Sequence, residues 1–551
     1  MLQVANIALP LDFGPANNPE ELAAAVAAKL DIERGSIAAV RMLRRGIDAR
    51  SRRNIHFVVT AEVELADDVL EQELLARGDG SIKPASPHEP PANPPFDRFR
   101  KRPIVVGSGP AGLFAALILA RAGAEPLVLE RGDSVRDRMA AVERMRSLGV
   151  LDPESNVQFG EGGAGTFSDG KLTTGISSPL TRFVAEEFVA HGAPAEIAWQ
   201  AKPHIGTDLL PGIIERIRAE IVELGGEFAF RTRLEGLEVE ENDGARRVTA
   251  AVVRRPDGST ASIACDDIIL AIGHSARDTY EMLHALGIPL EPKPFSIGVR
   301  IEHSQKWLDG ARYGKAASHP ALGASDYKLS LHLKSGRSVY TFCMCPGGEV
   351  VPAASEPGRL VVNGMSRFAR DGANANSALL VGITPRDFSD DSGDNPLTHP
   401  DPLAGVAFQR RWEEAAFNVG GGGFRAPAQL VGDFLQDAPS SAPGSVQPSY
   451  PVGVTWGSIA PALPRFAVDA MREALPLLGR KLRGFDTPDA VLTALESRSS
   501  APVRIVRDEN LQSVAVAGLY PCGEGAGYAG GITSSAVDGI RCAIALLGQN
   551  W

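Results

Sequence analysis

Six residues near position 110 have the types and spacing to hold a phosphate anion. Gly107-Ser108-Gly109-Pro110-Ala111-Gly112 reads G-x-G-x-x-G, directly after the apolar run PIVVG and at the head of PAGLFAALILARAG. In that setting Gly107 permits a tight turn, Gly109 lets a pyrophosphate reach the backbone, and Gly112 lets the helix lie close to the strand. The helix start, with Pro110 and Ala111 as its first residues, then offers free N–H groups and its positive dipole end to the anion. Glu130 follows Gly112 by 18 residues at the end of PLVLE, where a carboxylate can accept from both hydroxyls of an unphosphorylated adenosine ribose. This pattern alone does not separate FAD from NAD.

The far end of the chain separates them. YPCGEGAGYAGGITSSAVDG occupies residues 520–539, a second glycine-rich turn before a helix. FAD is too long for one βαβ unit, so its ribityl chain and ring need a second set of backbone donors. Gly523-Glu524 brings a carboxylate to the ribityl or pyrophosphate region, and Gly530-Gly531 lets a ring lie against bare backbone. A helix starting at Ile532-Thr533 points its positive end at flavin N1 and O2, where negative charge collects on reduction. FAD is the expected cofactor. No second G-x-G-x-x-G in strand context lies between 150 and 490, so NAD(P)H is left the role of a transient reductant. The stretch VGGGGFRAP, residues 419–427, reads as a mobile loop over a pocket.

Few residues present themselves for catalysis. Cys343-Met344-Cys345 ends the apolar run SVYTFCM, and strand alternation puts both sulfurs on one face. A redox thiol at Cys345 competes with the reading of two buried strand cysteines, which the very tight ring of a C-x-C disulfide favours. Lys171 in TFSDGKLTT can stabilise charge on flavin or substrate, or be a solvated loop lysine. Asn374 and Asn376 offer substrate amides or a helix cap. No histidine or cysteine spacing indicates a metal.

These groups need a large scaffold. With 551 residues the chain exceeds one hydrophobic core, and its 58 glycines and 40 prolines imply many turns. Residues 1–79 read as a small ferredoxin-like α/β domain in strand, helix, strand, strand, helix order. Residues 80–100 form a Pro-rich linker. Residues 101–290 and 491–551 form the two parts of a Rossmann-like FAD-binding domain, and 291–490 an inserted α+β substrate domain. The formal charge of −11 argues against nucleic acid and anionic membranes. The local exception, six arginines within 41–53 opposed by Asp48, reads as a docking or solvated face ahead of an RNA site. Five cysteines without a C-x-x-C pair, and an N-terminus without a basic flank and long apolar run, suggest a cytoplasmic protein.

Four segments carry a family resemblance: VVGSGPAGL with VLER, FGEGGAGTFSDGKL, IILAIGHSARDT and GLYPCGEGAGYAGGITSSAVDGIRCA. They resemble a glutathione-reductase-type FAD fold. With RRGIDARSR, TFCMCPGGEVVPAASE, NGMSRFARDGANANSALLV and SAPVRIVRDENLQS they are similar, over nearly the whole chain, to bacterial FAD-dependent dehydrogenases of the NAD(FAD)-utilising kind. The resemblance implies that Arg131 contacts adenosine and that Gly162 and Gly163 lie near the pyrophosphate and flavin. It also implies that Leu234 meets the adenine ring through its backbone and that Gly273 closes on the dinucleotide. Glu524 departs from the Asp common at its turn. The expected function is an FAD-dependent oxidoreductase exchanging a hydride between flavin N5 and a small molecule. The alternatives are a flavoprotein modifying RNA through the arginine patch and a non-catalytic flavin-binding docking module.

Overall fold

The computed structural model describes residues 1–13, 19–85, 101–388 and 401–548. Head and tail of the chain meet in a five-stranded parallel sheet. Strand Ile104–Val106 lies at its centre, followed on one side by Leu127–Leu129 and Glu227–Ala229 and on the other by Ile268–Leu270 and Leu519–Pro521. Counted along the chain, the order is 3-2-1-4-5, the arrangement whose crevice opens beyond the carboxyl end of the first strand. The last strand, Leu519–Pro521, is set by parallel pairing with Ile268–Leu270.

The central strands are apolar throughout because both faces are covered. Val105 and Val128 face the helices, while Ile104, Val106 and Leu129 face the antiparallel meander Arg233–Asn242, Ala245–Arg254 and Thr260–Ala264. Helix Pro110–Arg121 starts from Gly109 with proline in its first turn, where a missing N–H costs nothing. Its residues 111–120 are all buried, because the C-terminal helix Ile532–Leu546 covers its outer side. The close approaches are made by glycine: a Cβ at Gly112 would overlap the carbonyl oxygen of Gly107, and one at Gly539 that of Ala111.

Between Ile268–Leu270 and Leu519–Pro521 the chain builds a seven-stranded sheet. Its order is Ser330–His332, Ser338–Cys345, Asn374–Ile383, Phe295–Ser304, Val491–Glu496, Ala426–Leu430 and Val454–Trp456. Helices Ala404–Val419 and Arg465–Lys481 share its core. Val491–Glu496 pairs with Phe295–Ser304, so the boundary expected at 490 falls just ahead of a strand of the inserted sheet. The glycines at 420–423 reverse the chain after Ala404–Val419 into Ala426–Leu430; they are a helix-ending turn and do not line the cavity described below.

The N-terminal unit has strands Leu2–Leu9, Ile37–Asp48, His56–Leu65 and Ile82–Pro84 and helices Pro19–Leu30 and Asp68–Ala76. The antiparallel sheet has the spatial order second, third, first, fourth strand. Ile82–Pro84 lies inside the span expected to be linker, and it is ordered by pairing with the first strand; the expected linker at 86–100 lies outside the described residues. The edge strand docks on the flavin-domain side: Arg45 donates its N–H to Trp199 O at 2.7 Å and accepts from Ala201 N at 2.8 Å. The Arg45 guanidinium stacks over Phe57 and Trp199, 4.5 and 4.4 Å from the ring centres. Arg41 pairs with Glu62, Arg50 with Asp48, and Arg52 bonds the Ala311 carbonyl.

A buried charge cluster locks the inserted sheet to the flavin domain. Arg277 donates two hydrogen bonds to Glu413, at 2.8 and 2.6 Å, and Arg498 donates two more, at 2.9 and 3.0 Å. Burial opposes ionisation of Glu413, but the two guanidinium groups outweigh it and hold the carboxyl well below the usual carboxylate range.

Candidate functional site

One cavity of about 1080 Å³ runs from the first glycine turn to the inserted sheet. Of the residues expected to bind cofactor, Gly107, Gly109, Pro110, Ala111, Glu130 and Arg131 line it at one end. Gly163, Leu234, Gly273, Glu524, Gly531 and Ile532 line it further along. Gly112, Gly162, Gly523 and Thr533 stand behind the wall. Gly112 closes the turn from below, Gly162 donates its N–H to Ser108 O at 2.8 Å, and Gly523 donates to Asp538 at 2.7 Å.

Two glycine loops abut at the pyrophosphate end. A Cβ on Gly163 would come 2.9 Å from the Gly109 Cα, so only bare backbone fits at Gly163. The sequence reading missed what holds the second loop. Arg138, fully buried, donates to the carbonyls of Asn156 (2.8 Å), Val157 (3.0 Å), Glu161 (2.7 Å) and Gly163 (2.9 Å). Burial pushes its pKa down to about 10, with Glu130 and Glu161 opposing. A buried arginine 18 residues before Asn156 has no local sequence signal.

Glu130 is more committed than the motif implies. One carboxylate oxygen accepts from Ser108 N (3.0 Å) and Oγ (2.7 Å), the other from Gly132 N (2.8 Å) and Gly160 N (3.1 Å). A carboxylate offers about four acceptor sites, so a ribose hydroxyl would reach Glu130 only by replacing one of these donors, the Ser108 hydroxyl being the one free to rotate. Arg131 is likewise engaged, with Asp278 at 3.0 Å and Glu154 at 3.0 Å, and lies 4.0 Å from the Phe159 ring centre.

The opposite end has the complementary property: groups without protein partners. The Glu524 carboxyl faces the cavity and accepts no hydrogen bond from a described residue. Burial pushes its pKa up to about 7, partly offset by Lys293. A Cβ on Gly530 or Gly531 would meet no atom within 4 Å, so packing within the protein does not demand glycine there. Helix Ile532–Leu546 begins without a side-chain cap, and the Thr533 hydroxyl ties its first turn to the Leu172 carbonyl at 2.8 Å. A planar ring over Gly530-Gly531 with hydroxyls toward Glu524 answers all three observations, so the residues fit FAD.

The catalytic candidates separate. Lys171 lines the cavity, 2.7 Å from Asp169, which also receives Arg370 at 3.0 Å. Burial works against charge on Lys171, but Cys345 and Asp169 outweigh it and keep its pKa above the ordinary value. Cys345 is fully buried and does not line the cavity; Cys343 does. The alternation expected to put both sulfurs on one face fails because a bulge lies between Phe342 and Cys345, which inserts one unpaired residue. Cys343 takes a left-handed φ of 41°, a conformation that costs a non-glycine residue roughly 1–3 kcal/mol and concentrates at functional sites. Asn374 and Asn376 cap no helix. They lie in strand Asn374–Ile383, where Asn374 bonds Glu302 at 3.0 Å and Asn376 accepts from Arg300 at 3.1 Å.

Arg300, fully buried, also donates to Glu496 at 2.5 Å and to the Cys343 carbonyl at 2.9 Å. Burial pushes Glu496, at the cavity wall, up to about 7 against the pull of Arg300. His274 lines the same wall and is held neutral, its pKa lowered to about 3 by burial and by Arg498 and Arg277. At the mouth stand Arg44 and Lys328, cations without an ion-pair partner among the described residues, beside the Lys202–Asp326 pair at 2.7 Å.

This fold and cavity define a flavoprotein with an FAD-binding domain. Residues 102–278 match the family described as FAD binding domain, 294–499 match FAD-dependent protein, C-terminal domain-like, and 1–64 match a domain of unknown function. The chain belongs to the same family as a protein of Clostridium beijerinckii, 45% identical over 543 residues that span 98% of each chain. It is similar to the glycerol-3-phosphate dehydrogenase from Bacillus halodurans complexed with FAD, at 12% identity and TM-score 0.34, covering 83% of this chain and 66% of that one. It is also similar to CmlS, a flavin-dependent halogenase, at 15% identity and TM-score 0.35, covering 82% and 59%. The chain spans less than two thirds of either solved chain, and likeness at this level carries no argument about the reaction. Among the described residues no helix is long and apolar enough to cross a membrane.

Proposed function

We propose that the protein is an FAD-dependent oxidoreductase that exchanges a hydride between flavin N5 and a small anionic molecule held against the inserted domain. We read its flavin domain as glutathione-reductase type, its N-terminal unit as ferredoxin-like, and its nearest functional class as the NAD(FAD)-utilising dehydrogenases. The carrying observation is the cavity: it is continuous from Gly109 to Cys343, and its volume of about 1080 Å³ exceeds the several hundred Å³ of an ordinary ligand pocket. It therefore has room for an extended cofactor and a second molecule.

Within it the chain's own groups divide the work. The first glycine turn, at the start of helix Pro110–Arg121, offers N–H groups to a pyrophosphate, with Gly163 packed bare against it. Glu524 accepts from hydroxyls, and the uncapped start of Ile532–Leu546 favours negative charge beside it. Bound FAD supplies the two-electron chemistry. Arg44 and Lys328 attract an anion at the mouth, while Lys171, charged beside Asp169, offers a proton or a positive field to a substrate oxygen. NAD(P)H enters this scheme as a transient reductant in the same space. Against the RNA alternative stands that four of the six arginines within 41–53, Arg41, Arg45, Arg50 and Arg52, bond within the chain.

The test is direct. Purified protein should be yellow or become so on reconstitution with FAD, and the bound flavin should bleach under argon with NADH, NADPH or an anionic metabolite. Protein that stays colourless through reconstitution would overturn the proposal.

A further inference from the structure

We propose that Cys343 and Cys345 form a two-electron dithiol–disulfide pair that exchanges reducing equivalents with the flavin, an inference that rests on the flavin reading above. Three features of the structure carry it.

The first is the bulge. An extra residue in strand Ser338–Cys345, together with the left-handed backbone of Cys343, curls the segment so that the Cys345 thiol points back at Cys343. It donates to the Cys343 carbonyl at 3.3 Å. Without the bulge, the two residues would stand a full strand repeat apart. Both are free thiols in the structure.

The second is the asymmetry of the pair. Cys343 reaches the cavity and Cys345 lies sealed behind it, which is the arrangement of an attacking and a resolving thiol. The hydrogen bond from Cys345, followed by the charges of Lys171 and Arg300, holds the Cys343 thiol below its ordinary pKa. The Cys345 thiol is raised by the same bond and by burial. Thiolate character beside lysine and arginine marks reactive cysteines.

The third is position. Lys171 precedes Leu172, whose carbonyl is tied to Thr533 at the start of the last helix, and Lys171, Cys343 and Glu524 all line the one cavity. The pair therefore faces the end of the cavity where the ring fits.

On oxidation both S–H bonds break and one S–S bond forms. Two electrons pass to oxidised flavin; two protons are released, of which the reduced ring takes one and solvent the other. The reverse transfer reduces the disulfide.

The test is an anaerobic dithionite titration of the full-length, flavin-loaded protein after mild oxidation. The pair adds a second two-electron couple, so wild type should consume about four electron equivalents per flavin. Cys343→Ser and Cys345→Ala should each consume about two while keeping the flavin spectrum. Wild type saturating at about two equivalents overturns the pair and leaves the flavin reading intact, whereas protein that cannot take up flavin overturns both. Alkylation mapping gives a readout independent of flavin reduction. After diamide, Cys343 and Cys345 should be protected from iodoacetamide and freed by reductant; protection of Cys522 and Cys542 alone would overturn the assignment.

Discussion

Gly539 of the last helix lies flush against Ala111 of the helix that follows the first glycine turn, so close that a Cβ at 539 would overlap the Ala111 carbonyl oxygen. Residues more than 400 positions apart thus share one backbone contact, and Gly523 repeats it, its Cβ position lying 2.8 Å from that of Ala111. Gly539→Val should lower stability by about 3 kcal/mol or more, as overpacking against rigid backbone does, and release flavin, both read by thermal melts with absorbance. Gly530→Ala should do the opposite: stability within about 0.5 kcal/mol of wild type, since the methyl meets no protein atom, but weaker FAD binding by titration.

Arg138→Met should unfasten the loop at 156–163. It leaves the carbonyls of Asn156, Val157, Glu161 and Gly163 without their shared donor, and each buried unsatisfied group costs about 1–3 kcal/mol. We expect a loss on the order of 3 kcal/mol in urea unfolding, and faster flavin release than from any surface variant.

Glu413→Gln tests the lock between the two large sheets. Removing one member of a buried ionic cluster costs about 3–5 kcal/mol, here leaving Arg277 and Arg498 facing each other. Because the folded carboxyl titrates well below its ordinary value, its contribution is complete above the unfolded pKa of about 4.3. It is lost as pH falls below that value toward the folded pKa. Wild type should therefore lose stability steeply below about pH 5, and the variant, already lacking that contribution, should show a shallower slope.

Glu524→Gln reverses the sign. The folded pKa is raised to about 7, so the native state holds a proton that the unfolded chain releases near 4.3, roughly the model-peptide value. Stability from this group is present below that value and declines as pH rises through about 7. In flavin-free protein the amide should raise the melting temperature at pH 8 and have little effect at pH 5. In loaded protein it should weaken flavin retention, because the carboxylate's acceptor for the ribityl hydroxyls is halved.

The sequence displayed the dinucleotide turn and the C-terminal helix because each couples glycine chemistry to a strong apolar run. It concealed the inserted sheet for a physical reason. Phe295–Ser304 is buried along nearly its whole length, so it lacks the alternation that betrays a half-exposed strand, and its neighbours in the sheet come from residues far away in the chain. The site was legible where backbone does the work, at Gly107, Gly109 and Gly531, and illegible where side chains arrive from afar, at Arg138, Arg300 and Glu413. Cys343 and Cys345 were visible as a pair, but a bulge reassigned which one meets the cavity, and bulges leave no reliable mark in a single sequence.

Because Trp199 and Ala201 grip the backbone of Arg45, the neighbouring Arg44 becomes part of the cavity's doorway. The N-terminal unit is then a gatepost of the chamber rather than an appendage to it. The wall of the cavity thus draws on the N-terminal unit, through Arg44, as well as on the parallel sheet and the inserted sheet.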